Sequence, residues 1–144
     1  MKIKTIINPL IEERIEIYSK EYNNLIKQIE ELIRNYNNNL IGYFEDEIVP
    51  LKFDEIYRFF IEDKKIFAST KDKKYLIKLR LYQIEELVNS SFIKINQSCL
   101  VNKNKIKKFS SSWGGTILVE LKNGDKEYIS RRQTKTVLER MGIK

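Results

Sequence analysis

A mainly β fold is what this 144-residue chain predicts, and three observations predict it. Short strand-like patterns follow one another from Leu40 onward, an Asn-Gly pair sits between two alternating apolar runs near the C-terminus, and helical apolar spacing is confined to three stretches. The 42% hydrophobic content suffices to bury the core of one ordinary domain, or of a small domain with an appendage.

Residues 1–39 read as a β-β-α extension ahead of a domain spanning 40–144. Ile3, Thr5 and Ile7 alternate with Lys2 and Lys4, and Ile15 and Ile17 repeat the pattern over Arg14 to Ser19, so two short strands joined around Pro9 are expected. From Glu21 the period becomes helical. Leu25, Ile26, Ile29, Leu32 and Ile33 make one apolar stripe, while Glu21, Lys27, Glu30 and Arg34 decorate the other face. Asn37-Asn38-Asn39 ends the helix as a linker. The segment is either a separate subdomain or a dimerisation arm, and neither has a chemical signature.

Beyond it, strand patterns occupy Ile41 to Phe44, Glu47 to Leu51, Ile56 to Phe60, Ile66 to Thr70 and Tyr75 to Leu79. Lys71-Asp72-Lys73-Lys74 links the last two as a hairpin turn with a basic crown that continues to Lys78 and Arg80. Leu81, Ile84 and Val88 recur at helical spacing, and Asn89-Ser90-Ser91 stops that helix. Residues 92–109, FIKINQSCLVNKNKIKKF, then read as strand, loop and strand, with five lysines and no acidic side chain. Phe92, Ile95 and Cys99 to Val101 supply an apolar face; Lys94, Asn96, Gln97, Ser98, Asn102, Lys103 and Asn104 are donors left for something outside. In the loop from Ser110 to Gly115, Trp113 is expected to cover the core edge. Ile117, Val119 and Leu121 alternate, and Asn123-Gly124 favours a type I′ turn into a partner strand at Lys126 to Ser130. Arg131-Arg132 leads into a last helix buried through Val137, Leu138 and Met141.

Charge narrows the function. Lys and Arg total 27 against 20 Asp and Glu, a formal net charge of +7. Residues 1–39 hold six of each sign, whereas residues 92–144 hold twelve basic and four acidic, so the positive field is C-terminal and favours a polyanionic partner. No run approaches the ~18–20 apolar residues of a membrane span, and the N-terminus lacks the apolar segment of a signal peptide, so a cytoplasmic protein is expected.

Catalysis is not expected. The absence of histidine removes Ser-His-Asp and Cys-His chemistry, and the single Cys99 removes an all-thiolate zinc site and an internal disulfide. Its apolar surroundings favour a buried thiol over a reactive one. No glycine-rich phosphate loop occurs. The carboxylate groups Glu45-Asp46-Glu47, Glu62-Asp63 and Glu85-Glu86 fall in polar turns or on a helix face and read as solvated, and no cofactor is implied.

The C-terminal pattern resembles the LytTR family of bacterial DNA-binding domains. FIKINQSCLVNKNKIKKF, the Gly114-Gly115 loop, a strand, Lys122-Asn123-Gly124, a second strand and YISRRQTK match that family's elements in order and spacing over roughly Leu40 to Lys144. The resemblance implies an elongated fold of about ten strands in three small antiparallel sheets with short helices, which lays loops into two successive major grooves and the minor groove between them. The N-terminal strand pair and helix also look like the short extension of small stand-alone LytTR regulators.

The family's basic strand residue falls on Lys94, its base-reading polar position on Gln97, its serine and asparagine on Ser98 and Asn102, and its groove-entering arginine on Arg132 beside Arg131. Its other base-reading loop corresponds to Asp63-Lys64-Lys65. With residue chemistry added to the resemblance, the candidates for base reading are Gln97, Arg132, Lys64, Lys65 and Asn96, and those for phosphate binding Lys94, Ser98, Asn102, Lys103, Lys105, Lys107, Lys108 and Arg131. Gln and Asn pair bidentately with adenine and Arg with guanine, whereas lysines suit phosphate. Asn102 also reads as a turn cap, and Ser98 as a partner of backbone.

The expected function is a bacterial transcription regulator binding double-stranded promoter DNA at direct repeats, as a homodimer. The resemblance adds a small inhibitory membrane protein as partner, and 39 N-terminal residues leave no room for a receiver domain. Two rivals stay open: a sequence-independent RNA or single-strand binder, and a protein-interaction module acting through the N-terminal helix.

Overall fold

Two apolar clusters, one on each face of a single sheet, organise the chain. A computed structural model describes residues 2–11, 14–36, 40–88, 90–111 and 113–143. The Asn37 to Asn39 linker, the helix stop at Asn89, and the side chains of Arg34 and Trp113 lie outside the described residues.

The elements run α1 (Asn24–Tyr36), β1 (Leu40–Phe44), β2 (Glu47–Leu51), a 3₁₀ turn (Phe53–Glu55), β3 (Arg58–Glu62), β4 (Lys65–Ser69) and β5 (Lys74–Ile77). After α2 (Leu81–Leu87) come β6 (Phe92–Asn96), β7 (Cys99–Asn102), a 3₁₀ turn (Lys103–Lys105), β8 (Ile106–Ser111), β9 (Ile117–Leu121), β10 (Lys126–Ile129) and α3 (Arg131–Arg140). The pairing is antiparallel throughout. One sheet has the order β2-β1-β5-β4-β3-β7-β6, the other β10-β9-β8. The ten expected strands therefore form two sheets, not three. Phe59↔Leu100 fuses the β6–β7 hairpin to β3, and Tyr43↔Leu76 fuses the β1–β2 hairpin to β5.

Alternation in β3, β6 and β7 divides the core. Phe59, Phe92 and Leu100 face the cluster completed by Ile56, Ile77, Leu81 and Ile84. Phe60, Ile93, Ile95, Cys99 and Val101 face Val119, Leu121, Ile129 and Val137. Being covered on both sides, β7 is buried at all four residues, which is why Cys99 to Val101 is continuously apolar. Arg58 clamps the two sheets. Its Nε donates to Asp125 Oδ2 at 3.1 Å and its Nη1 to Glu127 Oε2 at 2.9 Å, with the guanidinium 3.9 Å from the Phe60 ring centroid.

Two further expectations are corrected. Lys2 to Asn8 and Arg14 to Ser19 form no strands, and Ile3, Ile7 and Leu10 are about nine-tenths exposed at 90%, 91% and 92%. A two-stranded hairpin is marginal without a third strand or a packing face, and no strand of the body lies alongside. Only the helix of the extension is present, capped where Asn23 Oδ1 accepts the Ile26 N–H at 3.0 Å and anchored by buried Ile26 and a Ser90 hydroxyl to Glu31 bond.

The second correction concerns the β9–β10 turn. A type I′ turn needs positive φ at both central residues, yet of Asn123 and Gly124 only the glycine has it, at 92°. Gly124 N–H closes on Leu121 O at 2.9 Å and Leu121 N–H on Asp125 O at 2.8 Å, a three-residue loop with glycine in the left-handed position. Asn123 instead ties the hairpin tip down, donating to Thr70 O at 2.8 Å. The consecutive left-handed pair occurs at Asp63 (φ 50°) and Lys64 (φ 62°), the tight turn between β3 and β4. No helix among the described residues is long and apolar enough to cross a membrane.

Candidate nucleic-acid interface

Strand register carries three loops to one end of the molecule. β3 and β7 pair with Phe60 opposite Cys99, and Ile61 N–H donates to Ser98 O at 3.0 Å, so the Asp63-Lys64 turn lies beside the Gln97-Ser98 turn. On the other side, Asn96 Nδ2 donates to Tyr128 O at 2.8 Å and Ser130 N–H to Ile95 O at 2.9 Å, which seats the start of α3 against the same turn. Arg131 Nη2 adds the loop after β8 by donating to Gly114 O at 3.2 Å.

Of the candidates, Lys64, Lys65, Gln97, Ser98, Arg131 and Arg132 are thereby brought together, all of them exposed. Lys64, Lys65, Gln97 and Arg132 have side chains with no hydrogen-bond or ion-pair partner among the described residues. The first turn of α3 has no acidic residue, and Ser130 makes no side-chain cap. Two arginines therefore stand at the positive end of a helix dipole, an arrangement that disfavours the free protein and favours an anion against the exposed N–H groups.

The remaining candidates lie elsewhere or are internally occupied. Asn96 is half-buried, and besides its bond to Tyr128 it accepts the Ser98 N–H at 2.8 Å, so it shapes the turn instead of projecting from it. Asn102 is buried. It donates to Ile56 O at 3.0 Å and accepts the Asn104 N–H at 3.0 Å, capping the 3₁₀ turn as the turn-cap reading expected. Lys94 pairs with Glu85 of α2 at 3.2 Å. Lys107 and Lys108 share Glu120, at 3.9 and 3.4 Å, and a bulge between Ile106 and Lys108 is what lets both stay exposed on edge strand β8. Lys103 and Lys105 are not near the Gln97 turn. β7 intervenes, its four residues advancing ~3.3 Å each to the opposite end of the sheet, where Lys105 stacks 5.0 Å from the Tyr57 ring centroid.

Three basic residues were not assigned to the site from sequence. Lys78, 4.1 Å from the Tyr43 ring centroid, and Arg80 line a surface groove with Lys64, Lys65 and Gln83. Lys135 is exposed one turn beyond Arg131 and Arg132 on α3. The signal for it was present as basic residues at i, i+1 and i+4; for Lys78 and Arg80 it was the basic crown running past β5. Cys99 is buried among apolar side chains, which pushes its thiol up from 9.0 to about 12, with Glu127 adding to the shift. Among the described residues no group of acidic, histidine or cysteine side chains is placed to hold a metal ion.

Comparison with known proteins gives three concordant matches. Residues 46–142 match the family described as the LytTr DNA-binding domain. Uncharacterized HTH-type transcriptional regulators from Staphylococcus aureus strains bovine RF122 / ET3-1, MSSA476 and NCTC 8325 / PS 47 are each 32% identical over 146 residues, covering 99% of this chain and 99% of the relative. Among solved structures, the LytTr DNA-binding domain of a protein described as a methyl-accepting/DNA response regulator from Bacillus cereus superposes with a TM-score of 0.69 at 23% identity, covering 74% of this chain and all of that one. That likeness is one of fold.

Proposed function

Because the chain belongs to the LytTR family of DNA-binding domains, we propose that it is a transcription regulator that reads double-stranded promoter DNA by laying loops of one molecular end into successive grooves. The observation that carries this is the convergence of the β3–β4 turn, the β6–β7 turn and the start of α3, with Lys64, Lys65, Gln97 and Arg132 unpaired on them. Gln97 offers an amide that pairs bidentately with adenine, and Arg132 a guanidinium fork for guanine O6 and N7. Arg131, held by Gly114, and the free N–H groups of α3 suit a phosphate, as does the Ser98 hydroxyl.

The S. aureus relatives are named as HTH-type regulators. Their regulator role is carried over here, but not the helix-turn-helix: α1, α2 and α3 are separated from one another by strands. The proposal includes a homodimer on direct repeats, and a small membrane protein as the inhibitory partner that the family resemblance implies.

Fluorescence anisotropy on specific and scrambled duplexes tests the base-reading role. Arg132→Ala is expected to lose discrimination by ~1–3 kcal/mol, whereas Lys135→Ala, exposed one turn further along α3 where a lysine suits phosphate, weakens both duplexes alike. Equal loss on both duplexes for Arg132→Ala overturns base reading. Single-stranded competitor displacing the duplex at equal concentration points instead to a single-strand binder.

A further inference from the structure

We propose that the stretches Lys2 to Asn8 and Arg14 to Ser19 form a dimer contact by pairing, antiparallel, with the same stretches of a second copy of this chain. The proposal names the contact that the homodimeric regulator above requires, and its test is run without DNA so that the two readings fail separately. Unpaired strand sequence comes first. Ile3, Thr5 and Ile7 alternate with polar residues, as do Ile15 and Ile17, yet neither stretch joins a ladder in its own chain. The backbone contacts there are local, such as Ile11 N–H to Asn8 O at 3.4 Å.

Exposed apolar area comes second. Ile3, Ile6, Ile7, Leu10, Ile11, Ile15 and Ile17 are all exposed, and among the described residues no other element covers them. At roughly 60–120 Å² per aliphatic side chain, a two-fold pair buries roughly 800–1,700 Å² from these groups alone, in the range of specific dimers. Leu25 and Leu32 of α1, also exposed, extend the apolar surface.

Charge selects the occupant. Lys2 and Lys4 make the first stretch basic, whereas Glu12, Glu13 and Glu16 outnumber Arg14 in and just before the second. The stretches are therefore complementary to each other but do not pair within one chain. Exchange between two copies matches basic to acidic twice, once on each side of the two-fold axis. The balanced charge of residues 1–39 gives no attraction to DNA or to an anionic membrane, in contrast with the basic body.

Sedimentation of the 144-residue chain at micromolar concentration, without DNA, decides it. Wild type is expected as a dimer and the double variant Ile7→Asp/Ile15→Asp as a monomer that keeps the thermal unfolding transition of its body and loses only strand signal in circular dichroism. Ile48→Asp, on the exposed face of edge strand β2, is expected to remain dimeric. In equimolar mixtures of Ile7→Cys and Ile15→Cys chains, the disulfide between unlike chains should exceed either like pair by well over twofold, the ratio that random pairing gives, since buried Cys99 does not compete. A monomeric wild type, a dimer indifferent to Ile7→Asp/Ile15→Asp, or predominance of like-chain disulfides overturns the proposal. So does cosedimentation with phosphatidylcholine vesicles in place of self-association.

Discussion

Asn96 and Asn102 use their amides on backbone carbonyls 32 and 46 positions away, at Tyr128 and Ile56. Both stand in the stretch that reads, by composition, as a row of donors for DNA. Nothing local distinguishes Asn96 from Gln97, and the cap reading of Asn102 covers its bond to Asn104 but not the one to Ile56, because the carbonyls that claim these amides arrive only when β10 and the 3₁₀ turn at Phe53 are folded against β6 and β7. Residue type was legible and residue allegiance was not. The same holds for Lys94, whose partner Glu85 sits on α2. Cys99 is the opposite case, since three consecutive apolar residues announced its burial. Its thiol is held up at about 12 against an ordinary 9.0, chiefly by desolvation. The native state therefore keeps its proton where the unfolded chain loses it, so this residue's contribution is complete below pH 9 and declines as pH rises from there towards 12. Urea titrations are expected to show wild type losing stability relative to Cys99→Ala between pH 8 and 10.5, as roughly the first part of that range is crossed. Parallel pH profiles would contradict the buried-thiol account.

At the scale of elements, the strands of the body were readable because alternation and burial agree. β1 to β5, β9 and β10 fall within a few residues of their expected positions, and α3 starts at Arg131. The N-terminal stretches carry equally good alternation and form nothing in this chain, since a strand is completed only by a neighbour and sequence does not say whether one exists. Turn type failed for a related reason. Asn123 bonds Thr70 O, a partner 53 positions away that local sequence does not reveal, while the left-handed pair fell on Asp63-Lys64, where sequence gives no glycine to advertise it. A lysine at φ 62° is strained, and the two-residue turn that joins Glu62 to Lys65 imposes that conformation on whichever residue stands there. Lys64→Gly is accordingly expected to stabilise the fold by about 0.5–1 kcal/mol while weakening DNA binding. Thermal unfolding and anisotropy on one protein preparation check both signs, and a variant that is no more stable, or binds as well, removes the argument.

For the whole molecule, the question is which end meets the polyanion. Net charge and its C-terminal bias were evident from composition, but composition lines up the lysines of residues 94–108 with Gln97, whereas the fold carries Lys103 and Lys105 away from it. Lys64, Lys65, Lys78, Arg80, Arg131, Arg132 and Lys135 gather where the β3–β4 and β6–β7 turns and the start of α3 meet; Lys103 and Lys105 stand at the far end of β7 with Lys122. Counterion release separates these groups, because each phosphate contact removed lowers the slope of log affinity against log salt by about one. Lys65→Ala and Lys78→Ala are each expected to lower the slope by about that amount, and Lys103→Ala and Lys105→Ala to leave it within error. If the far-end substitutions lower the slope as much, the duplex bends over both ends and the single-end arrangement fails. If only they lower it, the DNA lies on the opposite side from Gln97 and Arg132, and the assigned reading loops are wrong.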